Sequence, residues 1–380
     1  MYFGAKIKLK DITLILLGAG NSTRFGLPTK KQWLYIDDMP LWLFVANQYK
    51  CYDFDQIIIV GGIDEIEYMK KFAPYTYVAG GNSRQESLQN GLNIVNTPWV
   101  LVSDIARCCI DHETIKNILD AKDEADCIVP TLDVVDTLYL QGKPIDRENA
   151  KLIQTPQLSR TNLLKEAVST KNIYTDDSSA MKDKGHEILF VKGSDKIHKL
   201  TTKNDLNKLT CLKPPKPYTF TGFGLDTHAF EENKTMVLGG VDIKSPFGFK
   251  AHSDGDVAIH AIIDALLGAA GMGDIGELFP DTDMAYHNAN SKELLISVAD
   301  KIYGCGFCIT HIDITIVAQT PKIAPYKESI RDVLAKILKI APYHINIKAT
   351  TGENLGFIGR KEGVSVHAVA NLTYFDWTRL

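Results

Sequence analysis

In the first half of the chain, short apolar runs alternate with stretches whose apolar residues recur at helical spacing. Residues 12–17, 56–60, 99–102 and 127–130 are such runs, rich in β-branched or other apolar side chains, and read as strands. Residues 39–49 and 87–95 lie between them and carry amphipathic helix patterns. That alternation predicts an α/β domain on a parallel-type sheet, with ligands at the carboxyl ends of its strands. Residues 131–146 interrupt the alternation and read as a protruding hairpin arm.

The pattern changes after the stretch TCLKPPKPY at 210–218. Its three prolines preclude regular hydrogen bonding and favour a short extended connector. Beyond it, residues 220–226 and 236–243 read as strands. Residues 256–270 read as a strong helix, with Ser253 and Asp254 as candidate caps and Gly271 and Gly273 at its exit. A strand at 312–318, a helix at 326–338 and strands at 345–349 and 364–372 complete a mixed α+β half. The expected division is a domain over 1–210, a proline-rich linker over 211–217 and a second domain over 218–380.

Composition narrows the classes. A chain of 380 residues exceeds one typical core, which agrees with two domains. A net charge of −4 gives no general attraction to nucleic acid or anionic lipid. The start, MYFGAKIKLKD, does not read as a signal peptide, and no apolar stretch is long enough for a membrane span. Seven scattered cysteines suggest reduced thiols in a cytoplasmic protein rather than a disulfide framework. Cys305-x-x-Cys308 lacks the second half of a zinc ribbon.

Two places suggest chemistry. Residues 16–33, LLGAGNSTRFGLPTKKQW, join a strand to a loop with Gly18, Gly20 and Gly26 and the cations Arg24, Lys30 and Lys31. Glycines let backbone N–H groups approach an anion. The spacing matches neither the dinucleotide fingerprint, which needs glycine at Thr23, nor the Walker A pattern. A phosphate cradle and an ordinary strand-to-helix turn both fit. In the second half, Asp226-x-His228 closes a strand, so both side chains share a face. With His260 they make three zinc-compatible ligands, the number that leaves a fourth position open for catalysis. A chance D-x-H beside an ordinary helix histidine fits as well. Asp256, one turn before His260, is placed to support its imidazole.

The second half closely resembles 2-C-methyl-D-erythritol 2,4-cyclodiphosphate synthase. The resemblance is carried by DTHAF, AHSDGDVAIHAIIDALLGAAGMGDIGELFPDTD, AQTPKIAPY and ATTGENLGFIGR, and spans 217–374. The first half resembles 2-C-methyl-D-erythritol 4-phosphate cytidylyltransferase over 11–210. Its collinear motifs are the opening loop, GGNSRQESLQNGL, VSDIARCCI, TPQ and TDDSSA. Cys108 stands where that family often has proline, and Gly352 where the synthases often have threonine.

The first resemblance implies that the opening loop holds the triphosphate of CTP, with Arg24 and Lys31 stabilising charge at the α-phosphorus. Lys30 then reads as solvated, and Cys108-Cys109 as packed thiols. Gly18, Ala19, Gly20, Gly81, Ser87, Asp104 and Arg107 would surround the nucleotide, Asp104 with magnesium or manganese. Thr137, Arg147, Thr155 and Lys199 would hold methylerythritol phosphate.

The second resemblance implies zinc, or another divalent cation, on Asp226, His228 and His260. It implies magnesium or manganese through Glu353, and His252 and Thr351 as stabilisers of the transition state. Ser253, Asp274, Gly276, Phe279, Asp281, Ala318, Lys322, Ala324, Thr350, Phe357 and Arg360 match substrate-contacting positions. Asp283 reads as a ligand-zone carboxylate or a loop residue.

By resemblance the first domain dimerises through its arm and the second forms a trimer, so the fused chain would close as a hexamer. The second reaction needs a 2-phosphate that the first product lacks. A separate kinase must act between them, and the fused chain is a candidate to recruit it. Rival readings are a nicotinamide-linked oxidoreductase, disfavoured by Thr23, and a non-catalytic metal-binding scaffold.

Overall fold

A computed structural model describes residues 6–170, 172–251, 254–280 and 289–380. The chain divides into two compact units, Met1–Pro214 and Pro215–Arg379.

The first unit is built on an eight-stranded sheet. Its strands are β1 (Ile7–Leu17), β2 (Tyr52–Gly61), β3 (Thr76–Ala79), β4 (Trp99–Asp104), β5 (Cys127–Asp133), β6 (Lys151–Ile153), β7 (Gln157–Arg160) and β8 (Ile188–Lys192). The order is β6–β5–β7–β4–β1–β2–β3, with β8 alongside β5. The four central neighbours β4, β1, β2 and β3 are parallel. β7 runs antiparallel between β4 and β5, so the sheet is mixed. Its sequence, QLSR, is too short and polar to stand out as an apolar run. Helix α1 (Arg84–Leu92) follows β3. The arm is a hairpin of Leu138–Leu140 against Lys143–Ile145, and it leaves Val135, Tyr139 and Leu140 exposed.

The cysteines depart from the all-thiol expectation. Cys109 and Cys211, 102 residues apart in sequence, meet with Cα atoms 5.7 Å apart and form a disulfide. Spacing along the chain could not reveal that approach. Cys108 beside them stays a thiol, and burial pushes its pKa up to about 12, which makes it unreactive.

The second unit carries β9 (Thr219–Glu232), β10 (Phe247–Phe249), β11 (Phe307–Val317), β12 (Ile345–Thr350) and β13 (Gly363–Tyr374), ordered β10–β9–β13–β11–β12. Its helices include α2 (Val257–Ala270), α3 (Ser291–Gly304) and α4 (Lys327–Leu338). The single strand expected over 236–243 is instead a small hairpin, Met236–Leu238 against Val241–Ile243, because Gly239 and Gly240 both adopt positive φ.

Gly222, Gly224, Asp226 and His228 share one face of β9. The two glycines let α2 lie directly on the strand. A Cβ at Gly222 would meet the Ala265 carbonyl oxygen at 2.0 Å, and one at Gly224 would meet that of Ala261 at 2.0 Å. The opposite face shows Phe223 and Leu225, 59% and 51% exposed. Among the described residues, no helix is long and apolar enough to cross a membrane.

Candidate active sites

β1 and β4 run in register, Leu17 opposite Asp104, so the opening loop and Asp104 leave the sheet side by side. Phe25 and Trp33 sink into the core and anchor the loop, while Arg24 stays exposed. The half-buried Lys31 donates from Nζ to the Leu200 carbonyl at 3.1 Å. Burial lowers its pKa, and Lys199 and Arg24 lower it further. Three cations therefore stand near one another, and the carboxylates of Asp104 and Asp205 offset only part of their repulsion. Lys30 does not stay solvated: it pairs at 2.5 Å with the buried Glu65, because that carboxylate needs a counter-charge.

Asp104 is buried between Arg84 Nε at 3.1 Å and Lys199 Nζ at 2.6 Å. Burial alone would raise its pKa, but the two cations outweigh it and hold the carboxyl at about 2. Arg84 also donates from Nη1 to Asp177 at 2.7 Å. Burial pushes the Asp177 carboxyl above its usual range, although Arg84 opposes the shift. The Thr155 hydroxyl accepts from the Asp104 N–H at 3.3 Å. Arg107 donates to the carbonyls of Ile197 and Ile153, and it lines one cleft with Lys199, His198, Gln154 and Thr201.

Gly18 donates its N–H to the Val60 carbonyl, so that amide serves the turn. Ala19 packs against the core cluster, and Gly20 is exposed. The Ser87 hydroxyl accepts from Gly81 N–H at 3.0 Å and donates to the Ser83 carbonyl at 2.8 Å. Ser83 in turn caps α1 through the Glu86 N–H. Thr137 and Arg147 stand exposed on the arm, where Arg147 donates to the Val135 carbonyl.

In the second unit, Asp226 and His228 on β9 meet His260 on α2. The Asp226 Oδ2 lies 3.0 Å from His228 Nε2 and 3.2 Å from His260 Nδ1. One ligand atom from each of the three lies within 4.8 Å of the others. Neighbouring ligands of a tetrahedral zinc at about 2.0–2.1 Å stand ~3.3 Å apart, so the trio fits such an ion. Burial would raise the Asp226 pKa, but the two imidazoles hold it below the carboxylate range. Burial favours neutral His228, yet Asp226 lifts it above its ordinary value. His228 has its remote nitrogen, Nδ1, 3.2 Å from the Lys250 carbonyl.

The expected support from Asp256 to His260 is absent. Asp256 is buried as the cap of α2, accepting from Ala258 and Ile259 N–H and from Gly239 and Gly240 N–H. Its oxygens satisfy helix-end and hairpin amides that would otherwise lack partners. His260 instead meets Ser291, with Nε2 3.0 Å from Oγ. Ser291 leads on to Asp254.

Other predicted positions lie apart from this trio. Thr227, Ser365, Val317 and Thr350 stand level across β9, β13, β11 and β12. Thr350 is therefore three strand steps, about 14 Å, from the Asp226–His228 row. Thr351 donates to Glu353 at 2.6 Å, and Glu353 has a positive φ of 49°. Ala318 N–H donates to the Thr350 carbonyl, and Lys322, Ala324 and Phe357 are exposed. Arg360 forms a two-pronged pair with Glu362 at 2.8 and 3.0 Å. Asp274 caps the short helix Ile275–Leu278, which contains Gly276 and precedes the half-buried Phe279. His252, Ser253, Asp281 and Asp283 lie outside the described residues.

Sequence reasoning missed Arg84, Asp177, Asp254 and Ser291. The first two sat inside quoted motifs without a role. Asp254 reads from sequence as a cap or a solvated loop residue in the Asp- and His-dense stretch, and Ser291 offers no signal until α3 lies beside α2.

Comparison with known proteins gives two family matches. Residues 12–211 match the model for 2-C-methyl-D-erythritol 4-phosphate cytidylyltransferase, and residues 219–373 match the YgbB family. A bifunctional enzyme IspD/IspF of Sulfurovum sp. (strain NBC37-1) is 59% identical over 97% of this chain and 99% of its own. Its counterpart in Campylobacter curvus is 53% identical over 97% and 100%. The solved bifunctional IspDF of Campylobacter jejuni is 47% identical, with a TM-score of 0.88 over 97% of this chain and 100% of its own.

Proposed function

The chain belongs to the family of bifunctional IspD/IspF enzymes, and on that premise we propose how its two units divide the work. The protein is an enzyme of non-mevalonate isoprenoid precursor synthesis with two activities. It transfers CMP from CTP to 2-C-methyl-D-erythritol 4-phosphate and releases pyrophosphate. It also cyclises 4-diphosphocytidyl-2-C-methyl-D-erythritol 2-phosphate to the 2,4-cyclodiphosphate and releases CMP.

In this reading the domain over 1–210, within the first unit, is the transferase. The substrate 4-phosphate attacks the α-phosphorus of CTP, and charge grows on its equatorial oxygens. Arg24 and Lys31 are fixed cations aimed at that charge, which stabilise the transition state more than the ground state. Gly18, Ala19, Gly20, Gly81, Ser87 and Arg107 surround the nucleotide. Both oxygens of Asp104 are engaged by Arg84 and Lys199. Lys199 would turn to the substrate phosphate, leaving one oxygen for magnesium or manganese on the triphosphate. Thr137, Arg147 and Thr155 complete the methylerythritol phosphate pocket.

The domain over 218–380, after the linker at 211–217, is the cyclase. Asp226, His228 and His260 would hold zinc or another divalent cation, which when bound supplies Lewis-acid neutralisation of two mutually repelling phosphates. Glu353 offers an oxygen ligand to a second ion, magnesium or manganese. Thr351 and His252 are the residues assigned to the reacting phosphates, with the substrate-contacting positions of the synthase resemblance around them. The roughly 14 Å between Thr350 and the metal trio supports a site completed by a neighbouring subunit. The exposed Phe223 and Leu225 support a self-association face on this unit, and the exposed apolar arm supports a second one on the first unit. Dimer and trimer axes in one chain would close as a hexamer. Phosphorylated small-molecule substrates support a cytoplasmic setting, and the missing 2-phosphate supports an association with the intervening kinase.

The observation that carries this division is the segregation of charge: converging cations around Lys31 in one unit, and the Asp226–His228–His260 trio in the other. Incubating the protein with CTP, methylerythritol phosphate and magnesium should release pyrophosphate. Adding the 2-phosphorylated cytidylyl substrate should release CMP. No pyrophosphate in the first assay removes the transferase assignment, and no CMP in the second removes the cyclase assignment.

A further inference from the structure

We propose that Ser291 and Asp254 form a relay that holds a hydrogen on Nε2 of His260 and so orients the ring with Nδ1 toward Asp226 and a metal ion. The inference rests on the reading of Asp226, His228 and His260 as a metal site.

His260 presents its two nitrogens to different neighbours. Nδ1 faces Asp226 Oδ2 at 3.2 Å, and Nε2 faces Ser291 Oγ at 3.0 Å. Ser291 is fully buried as the first residue of α3. Its hydroxyl donates to Asp254 Oδ1 at 2.5 Å, and its N–H donates to Asp254 Oδ2 at 3.0 Å. An ionised carboxylate only accepts, and a hydroxyl has a single proton. With that proton directed to Asp254, Ser291 Oγ has only lone pairs to offer His260. Nε2 must then carry a hydrogen. Asp226 only accepts as well, so in the metal-free protein Nδ1 shares a hydrogen with Asp226 Oδ2, and Nδ1 is the nitrogen left for a divalent cation once that hydrogen is released. A ring without such a partner has no acceptor for a hydrogen on Nε2, and nothing then fixes that hydrogen when Nδ1 turns to a metal.

The two metal-site imidazoles are thus held by different means. His228 has its remote nitrogen against a backbone carbonyl, that of Lys250. His260 depends on side chains, Ser291 and Asp254, and so can be altered by substitution. These are positioning residues, since they act through the ring of His260.

The test uses the full chain and zinc alone. The affinity of wild type, Ser291→Ala, Asp254→Asn and Ser291→Thr for zinc is measured by competition with a chromophoric chelator. Circular dichroism confirms that each variant keeps its secondary structure. The protonation of His260 in the metal-free proteins is read from long-range ¹⁵N–¹H correlations on histidine-labelled material. Wild type should show hydrogen on Nε2. Ser291→Ala and Asp254→Asn should bind zinc about 10- to 100-fold more weakly and lose hydrogen from Nε2 in part of the population. Ser291→Thr, which keeps the hydroxyl, should recover affinity. A wild-type ring without hydrogen on Nε2 overturns the relay. So does Ser291→Ala matching wild type in both protonation and affinity. Hydrogen on Nε2 in a wild-type protein that takes up no zinc overturns the metal reading and leaves the relay standing.

Discussion

Arg84 donates to Asp177 at 2.7 Å across 93 residues of sequence, joining the start of α1 to the TDDSSA stretch. Its Nε holds Asp104 at 3.1 Å, so one guanidinium separates two buried carboxylates. Arg suits this place because its planar fork reaches both acids from fixed directions. Arg84→Met leaves Asp177 buried without its counter-charge. Removing one partner of a buried pair costs about 3–5 kcal/mol. The urea midpoint of the first unit should fall accordingly, while that of the second stays. Arg84→Lys keeps the charge without the fork and should recover part of the loss. An unchanged midpoint for Arg84→Met would remove the pair from the account of stability.

Asp104 also predicts a pH dependence. Arg84 and Lys199 hold its folded pKa at about 2, against about 3.9 for an unperturbed aspartate. A carboxyl depressed on folding contributes fully above pH ~4, and the contribution disappears as pH falls from ~4 to ~2. Asp177 is shifted the other way, so wild type alone would mix the two effects. The stability gap between wild type and Asp104→Asn isolates the first. Urea unfolding at a series of pH values should show that gap wide at pH 6 and narrowing below pH 4. A constant gap would mean that Asp104 is not held by its charge.

Much of the fold was legible because the signals were local. β1, β4 and α2 follow directly from apolar runs and helical spacing, and Gly271 marks the exit of α2 in left-handed conformation. The trio Asp226, His228 and His260 was legible too, since a strand places i and i+2 on one face. What escaped required knowledge of the third dimension. β7 was too short and polar to announce itself. Lys30 looked like a surface lysine until Glu65 came beside it. Asp256 lies at helical spacing from His260, yet unfilled backbone amides claimed its oxygens. Cys109 met Cys211 only through the fold.

Gly222 and Gly224 were passed over by sequence reasoning, yet they set the distance between β9 and α2. Any side chain at Gly224 would collide with the Ala261 carbonyl, one residue from His260. Gly224→Ala should therefore push α2 outward and separate His260 from Asp226. Overpacking of this kind costs about 1–3 kcal/mol, and here the obstacle is backbone, which yields poorly. Thermal unfolding of the second unit should drop, and zinc retention through gel filtration should fall with it. Wild-type zinc content in a folded Gly224→Ala protein would show that the close approach is dispensable.

The two chemistries should be separable by single substitutions. Lys31 has its pKa lowered by burial and by Lys199 and Arg24, so it stands in a field that an incoming polyphosphate would satisfy. Removing one preorganised donor at a developing charge typically costs ~10²–10³-fold in turnover. Lys31→Ala should lower pyrophosphate release by about that factor, mostly in kcat, because the lost interaction grows in the transition state. Its cyclase turnover should match wild type. His260→Ala should do the reverse, removing zinc and CMP release from the cyclisation while leaving CMP transfer intact. Each pair of rates can be taken from one preparation, so a misfolded variant is recognised by loss of both. If Lys31→Ala raised KM for CTP and left kcat unchanged, Lys31 would serve binding alone, and the transition-state role would pass to Arg24.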